Sequence, residues 1–141
     1  MKLLDTMESL GGAALFGRVL HSEMEAVELV EAGLPAASIN RLQELGGLSD
    51  PDMARIFPRR TLTHLKKTAR LSAEQSDRVA RTAGVFRTAH EVFGSREKAN
   101  AWMLHPNRAL QGKAPIALLR TGSGAQLVED VLTRIARGVY A

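Results

Sequence analysis

The 141-residue sequence has no cysteine. That excludes disulfides, thiolate zinc sites and cysteine nucleophiles together, and it suits a reducing compartment. Aromatic residues make up only 4% of the chain within a hydrophobic content of 45%, and the predominance of alanine and leucine favours helices over a β-sandwich. No stretch approaches the ~20 apolar residues of a membrane span. Asp5 and Glu8 arrive before an apolar run of the signal-peptide kind can form. The expectation is a soluble, cytoplasmic protein with no membrane partner. Its length is that of one domain, or of two small ones sharing a core, and a chain of this size buries roughly two-thirds of its unfolded surface.

One further absence is local: from Met53 to Ala73 there is no acidic residue. The net charge of +4 conceals a division, because residues 1–52 hold nine acids against three bases, whereas residues 53–141 hold sixteen bases against six acids. A region that basic suits a polyanionic partner.

No segment alternates as a strand does, so the chain reads as all-α, without internal repeats or low-complexity stretches. Residues 1–20, broken by Gly11-Gly12, read as a partly ordered arm available to pack on a partner subunit. Ser22 caps a helix that ends at Gly33, with Glu23 and Glu25 in its first turn. Leu34-Pro35 opens a second helix to Leu45. Ser49 or Asp50 caps a brief helix through Met53 and Ile56, and Pro58 starts another from Arg59 to about Ala69. Ser72 and Gln75 form a capping box for a long helix to Phe93, with Val79, Ala83, Phe86, His90 and Phe93 on one stripe. Gly84 within it either marks a close helix approach or is tolerated at about 1 kcal/mol. Ser95 caps a helix that must end near His105, because Pro106 follows. Asn107 to Lys113 is a loop, Pro115 begins a short helix to Arg120, and Gly122-Ser123-Gly124 is a break. The last helix carries Leu127, Val128, Val131, Leu132 and Ile135 on one face and closes at Gly138.

The acid-free span is where chemistry concentrates. A helix over its second half sets Arg60, Thr63, His64 and Lys67 opposite Leu62, Leu65 and Ala69. Two helices joined tightly, the second apolar inside and Arg/Thr/His/Lys outside, describe a helix-turn-helix whose outer face meets base edges and phosphates. The candidate DNA contacts are Arg55, Arg59, Arg60, Thr61, Thr63, His64, Lys66, Lys67 and Arg70. The same charge run reads equally as a solvated face of a structural helix, and the turn at Ile56-Phe57-Pro58 lacks the glycine often found there. The four histidines (His21, His64, His90 and His105) have no partner at ligand spacing, so no metal is expected. His90 reads as a core or interface histidine. Gly122-Ser123-Gly124 lacks the outer glycines of a nucleophile elbow and the lysine of a phosphate loop, and is better explained as a glycine-rich helix start. Glu129-Asp130 reads as a solvated acidic pair. No catalytic set and no cofactor site assembles, so no enzyme is expected.

The C-terminal half contains Ala99-Asn100-Ala101-Trp102-Met103, His105-Pro106-Asn107, Gly112-Lys113-Ala114-Pro115, Leu118-Leu119-Arg120-Thr121 and Arg134-Ile135-Ala136-Arg137-Gly138. In this order and spacing the segments resemble the toxin-binding domain of the Xre/MbcA/ParS-like antitoxins. Gly33-Leu34-Pro35, Gly47-Leu48-Ser49-Asp50, Pro58-Arg59-Arg60-Thr61-Leu62 and Leu71-Ser72 resemble the same family's N-terminal region. Together the likeness spans about residues 26–141, with departures at Ala114, Ala117 and Ser123.

The resemblance implies a type II antitoxin that homodimerises, or forms a higher homo-oligomer. It would neutralise a NAD-consuming RES-domain toxin by direct binding and repress its own operator DNA. It further implies an N-terminal arm and helix-turn-helix region over 1–71 and a toxin-binding and dimerisation domain over 72–141. Arg120, Thr121, Arg134 and Arg137 would lie on the toxin side, and Val139-Tyr140-Ala141 would reach the toxin's active-site cleft. Trp102 is expected in the core. The alternative is a stand-alone helix-turn-helix regulator whose C-terminal half only oligomerises.

Overall fold

The computed structural model describes residues 2–65 and 67–138. Its organising element is helix α7 (Ala73–Phe93), started by the reciprocal capping box of Ser72 and Gln75 and ended at Gly94. Such a cap is worth about 1 kcal/mol. Val79, Ala83 and Phe86 of the expected stripe are buried, and so are Ala80, Val85 and Ala89 on other sides of the helix. α7 is therefore enclosed rather than half-exposed. It packs against α1 (Leu3–Leu10), α3 (Glu23–Ala32) and α4 (Ser38–Gly46) from the first part of the chain, and against α8 (Arg96–Leu104) and α9 (Gly122–Ala136) from the last. Short helices α2 (Ala13–Phe16), α5 (Asp50–Met53) and α6 (Arg59–Leu65) and two 3₁₀ turns (Arg108–Leu110 and Pro115–Leu118) complete the order. The described residues form no β-strand, only isolated bridges at Pro35–Arg70 and Asn107–Lys113. The core joins Met7, Leu34, Leu42 and Phe57 to Met103, Ile116, Leu119 and Leu132, each large side chain contributing on the order of 1.5–3 kcal/mol of burial.

Four local expectations are corrected. Residues 2–20 pack on the chain's own core instead of forming a partly ordered arm for a partner subunit. Met7 and Leu10 of α1 are buried in the chain's own core, as is Leu20. Gly11 and Gly12, both at positive φ, turn the chain back between the two apolar clusters. The Glu23 carboxylate accepts hydrogen bonds from the Leu3 and Leu4 amides at 2.6 and 2.8 Å, supplying α1 with the cap its own sequence lacks. Those two amides hold the Glu23 carboxyl below its usual range.

The second helix begins at Ser38 rather than at Leu34-Pro35. Residues 34–36 are spent instead on a tertiary pairing: the Leu34 amide donates to the buried Ser76 hydroxyl at 2.8 Å, the Leu71 amide to the Leu34 carbonyl, and the Ala36 amide to the Ala69 carbonyl. The same pairing leaves Ala69 outside α6, which is described over Arg59–Leu65, and exposed instead of on an inner helix face. Gly122-Ser123-Gly124 is the expected glycine-rich helix start rather than a break: it forms the first turn of α9, capped by the Thr121 hydroxyl. On α9, Val128, Val131 and Leu132 are buried as expected, whereas Leu127 is 55% exposed.

Candidate functional site

The helix pair formed by α5, just before the acid-free span, and α6 within it is built from sequence-local devices. Ser49 and Asp52 form a reciprocal capping box for α5, and the Ile56 and Phe57 amides donate back to Met53. This compact turn needs no glycine because its hinge residues become anchors: Ile56 and Phe57 are fully buried, and the Arg78 guanidinium lies over the Phe57 ring at 5.6 Å. α6 then docks through buried Leu65 and half-buried Leu62, turning Arg59, Arg60, Thr63 and His64 outward. Arg55 and Lys67 are exposed beside them, and Thr61 is half-buried. Thr63 donates to the Arg59 carbonyl at 3.1 Å, within its own helix. Among the described residues none of Arg55, Arg59, Arg60 and Lys67 has an acidic partner, so the whole face keeps its positive charge. Arg70, also exposed, is engaged differently. It lies beyond α6, and its guanidinium donates to the Gly33 carbonyl at 2.8 Å, fastening the tertiary pairing. Lys66 lies outside the described residues.

The C-terminal candidates do not form one cluster. Thr121 is used as the cap of α9, accepting from the Gly124 amide at 3.0 Å. The carbonyl of exposed Arg120 accepts from Arg81 at 3.3 Å, and Arg81 is also paired with Asp77 at 2.7 Å. Arg134 and Arg137 are exposed at the far end of α9, roughly 20 Å away at the rise of an α-helix. Val139, Tyr140 and Ala141 lie outside the described residues. Glu129 is half-buried rather than solvated; burial, and secondarily the neighbouring Asp130, push its carboxyl up. His90 contacts the Phe86 ring edge and shares a 2.7 Å hydrogen bond with Asn100. No group of His, Asp and Glu among the described residues is arranged to hold a metal, and none of the helices there is long and apolar enough to cross a membrane.

A feature that the sequence reading missed lies around Arg134. Trp102 is half-buried, its ring tilted against Phe93 with centroids 5.5 Å apart. The two rings form the floor of an open groove of about 520 Å³ between the end of α7, α8, the 107–113 loop and the last turns of α9. The loop is closed on itself by the Asn107 amide to the Lys113 carbonyl at 3.0 Å and by the Asn107 side chain to the Ala109 amide at 2.9 Å. No local periodicity marks these residues, because they come from four separate segments. The opposite side of α8 touches the first part of the chain. Arg96 and Asn100 donate to the carbonyls of Glu44 and Leu45 at the end of α4, satisfying acceptors that a helix terminus leaves open.

Comparison with known proteins agrees with this layout. The profile of the antitoxin Xre-like helix-turn-helix domain matches residues 25–84, which include α5 and α6. The profile of the antitoxin Xre/MbcA/ParS C-terminal toxin-binding domain matches residues 88–138, which include α8, α9 and the groove. Antitoxin Xre of Pseudomonas putida is 32% identical over 120 residues, covering 84% of this chain and 76% of its own. Antitoxin Xre of Photorhabdus laumondii is 29% identical over 117 residues, covering 80% and 79%. In fold, the chain is like one in the crystal structure of the M. tuberculosis MbcT-MbcA toxin-antitoxin complex, with a TM-score of 0.55 at 24% identity, covering 75% of this chain and 96% of that one. These sequence relatives are antitoxins rather than enzymes. A chain whose described residues are helical and without strands, with a helix-turn-helix match that runs into its long helix, a toxin-binding match that starts near the end of that helix and 32% identity to an Xre antitoxin over most of its length, belongs to the Xre/MbcA/ParS family of antitoxins.

Proposed function

We propose that this chain is a cytoplasmic antitoxin that neutralises a RES-domain, NAD-consuming toxin by direct binding, and that it represses its own operon through operator DNA. The observation that carries the reading is the match of residues 88–138 to a toxin-binding domain, joined in one chain to the unneutralised cationic face of α6 and its flanking turns. Inhibition on this reading involves no chemistry by the antitoxin. The segment after Gly138 enters the toxin's active-site cleft, while Arg134 and Arg137, exposed at the end of α9, supply charge-assisted hydrogen bonds at the rim. Residues 1–71 serve DNA, and residues 72–141 serve the toxin and homodimerisation. Within the first part, Arg55, Arg59, Arg60, Thr63, His64 and Lys67 are the DNA face. Arg70 is a structural fastener.

The test is co-expression with a RES-domain protein, sought among the products of the neighbouring genes. Growth arrest by that protein alone, relieved by this chain, together with co-purification of the two, is the expected result. Absence of both refutes the antitoxin reading. Removing residues 138–141 is expected to weaken neutralisation while leaving the melting temperature unchanged; full neutralisation by the truncated chain refutes the inserted tail.

A further inference from the structure

We propose that the groove floored by Phe93 and Trp102 seats an acidic segment of the toxin, with one apolar side chain of that segment resting on the floor. This rests on the antitoxin reading above and adds the place and the chemistry of the contact.

The floor is apolar: Val92 and Phe93 from α7, Trp102 from α8 and Ile135 from α9. Its volume of about 520 Å³ lies within the range of pockets that enclose an organic group. Three cations from three different elements surround it, Lys98 of α8, Arg108 of the loop and Arg134 of α9, and no acidic residue lines it. Among the described residues none of the three is paired with an acid, although the chain carries fifteen acids in all. An apolar centre with an aromatic anchor, ringed by charge, is the anatomy of a protein interface. The sign of the ring specifies a partner rich in carboxylates.

Two other occupants fit less well. A second copy placed on this groove about a two-fold axis would set the cations against themselves. A single-stranded nucleic acid needs free aromatic faces for its bases, and here Phe93 and Trp102 pack on each other, with the rest of the floor aliphatic.

The experiment measures affinity of the full-length chain for the purified RES-domain toxin identified by the co-expression test, at low and high salt. It compares wild type with the double variant Lys98→Glu/Arg108→Glu and with Trp102→Ala. Lys98 and Arg108 are exposed, so the charge variant tests the rim without disturbing the core, and thermal melting verifies this. Charge reversal is expected to weaken binding by at least about tenfold at low salt and by less at high salt. Loss of the Trp102 anchor is expected to cost at least about thirtyfold. Wild-type binding by the charge variant overturns the groove and leaves the antitoxin reading standing, whereas a wild-type chain that does not bind the toxin overturns both. If charge reversal leaves toxin affinity intact but changes the mass of the free antitoxin, the groove joins copies of this chain and the proposal fails. It fails equally if the lost affinity is for operator DNA instead.

Discussion

Replacing Gly124 by alanine should destabilise this protein, although intrinsic helix propensity predicts the opposite. Gly122 and Gly124 both lie in the first turn of α9, where Gly→Ala ordinarily stabilises by up to about 1 kcal/mol. A Cβ on Gly122 meets nothing within 4 Å, but one on Gly124 would lie 2.0 Å from the Leu118 carbonyl oxygen and 3.0 Å from its carbon. Because that oxygen is backbone, the Pro115–Leu118 turn and the start of α9 must separate by more than an ångström. The overlap costs about 1–3 kcal/mol. Displacing the Gly124 amide from the Thr121 hydroxyl costs about 1 kcal/mol more. After the propensity gain, the net loss is about 2 kcal/mol. At this chain length that corresponds to a fall in melting temperature of roughly 6–8 °C. The assay is thermal or urea unfolding of wild type, Gly122→Ala and Gly124→Ala at one protein concentration, since any association would shift all three. The expected order is Gly122→Ala at or above wild type and Gly124→Ala well below it. Equal or greater stability of Gly124→Ala would refute the contact between this turn and α9.

Three further outcomes follow from single contacts. Ser76→Ala removes the acceptor of the buried Leu34 amide and should cost about 1–3 kcal/mol in urea unfolding; a loss below half a kcal/mol would show that residue 34 is not held as described. Glu23, whose carboxyl is lowered by the Leu3 and Leu4 amides, contributes stability that is present above its ordinary value of 4.5 and lost as pH falls through the lowered folded value. Glu23→Gln should therefore be less stable than wild type at neutral pH and converge with it on acidification, and a pH-independent difference would contradict the cap. On operator DNA, Arg60→Ala and Lys67→Ala should each flatten the log–log salt dependence of affinity by nearly one unit, whereas Arg70→Ala should lower stability and leave that slope unchanged; an unaltered slope in all three would move the DNA face elsewhere.

What the sequence determined by itself is whatever depends on neighbours along the chain. The caps at Ser22, Ser49, Ser72 and Ser95 each make the expected bond, because a hydroxyl reaches an amide only three residues away. Burial of Val79, Ala83 and Phe86 on α7 follows from helical period, whereas His90 and Phe93 of the same stripe are only half-buried. The charge division was equally legible, since it needs no geometry. What only the tertiary structure decided is whatever depends on residues far apart in the chain. Leu34-Pro35 has the form of a helix start, yet its backbone groups are taken by Ser76 and Leu71. Arg70 belongs to a basic run by sequence, but in the fold its guanidinium donates to a carbonyl 37 residues away. Leu127 fits the apolar face of α9 and is nonetheless exposed. The groove around Trp102 is likewise assembled from α7, α8, a loop and α9, so no window of sequence contains it. Local hydrogen bonds and periodicity act over three or four residues, whereas burial and long-range pairing exist only once the elements have met.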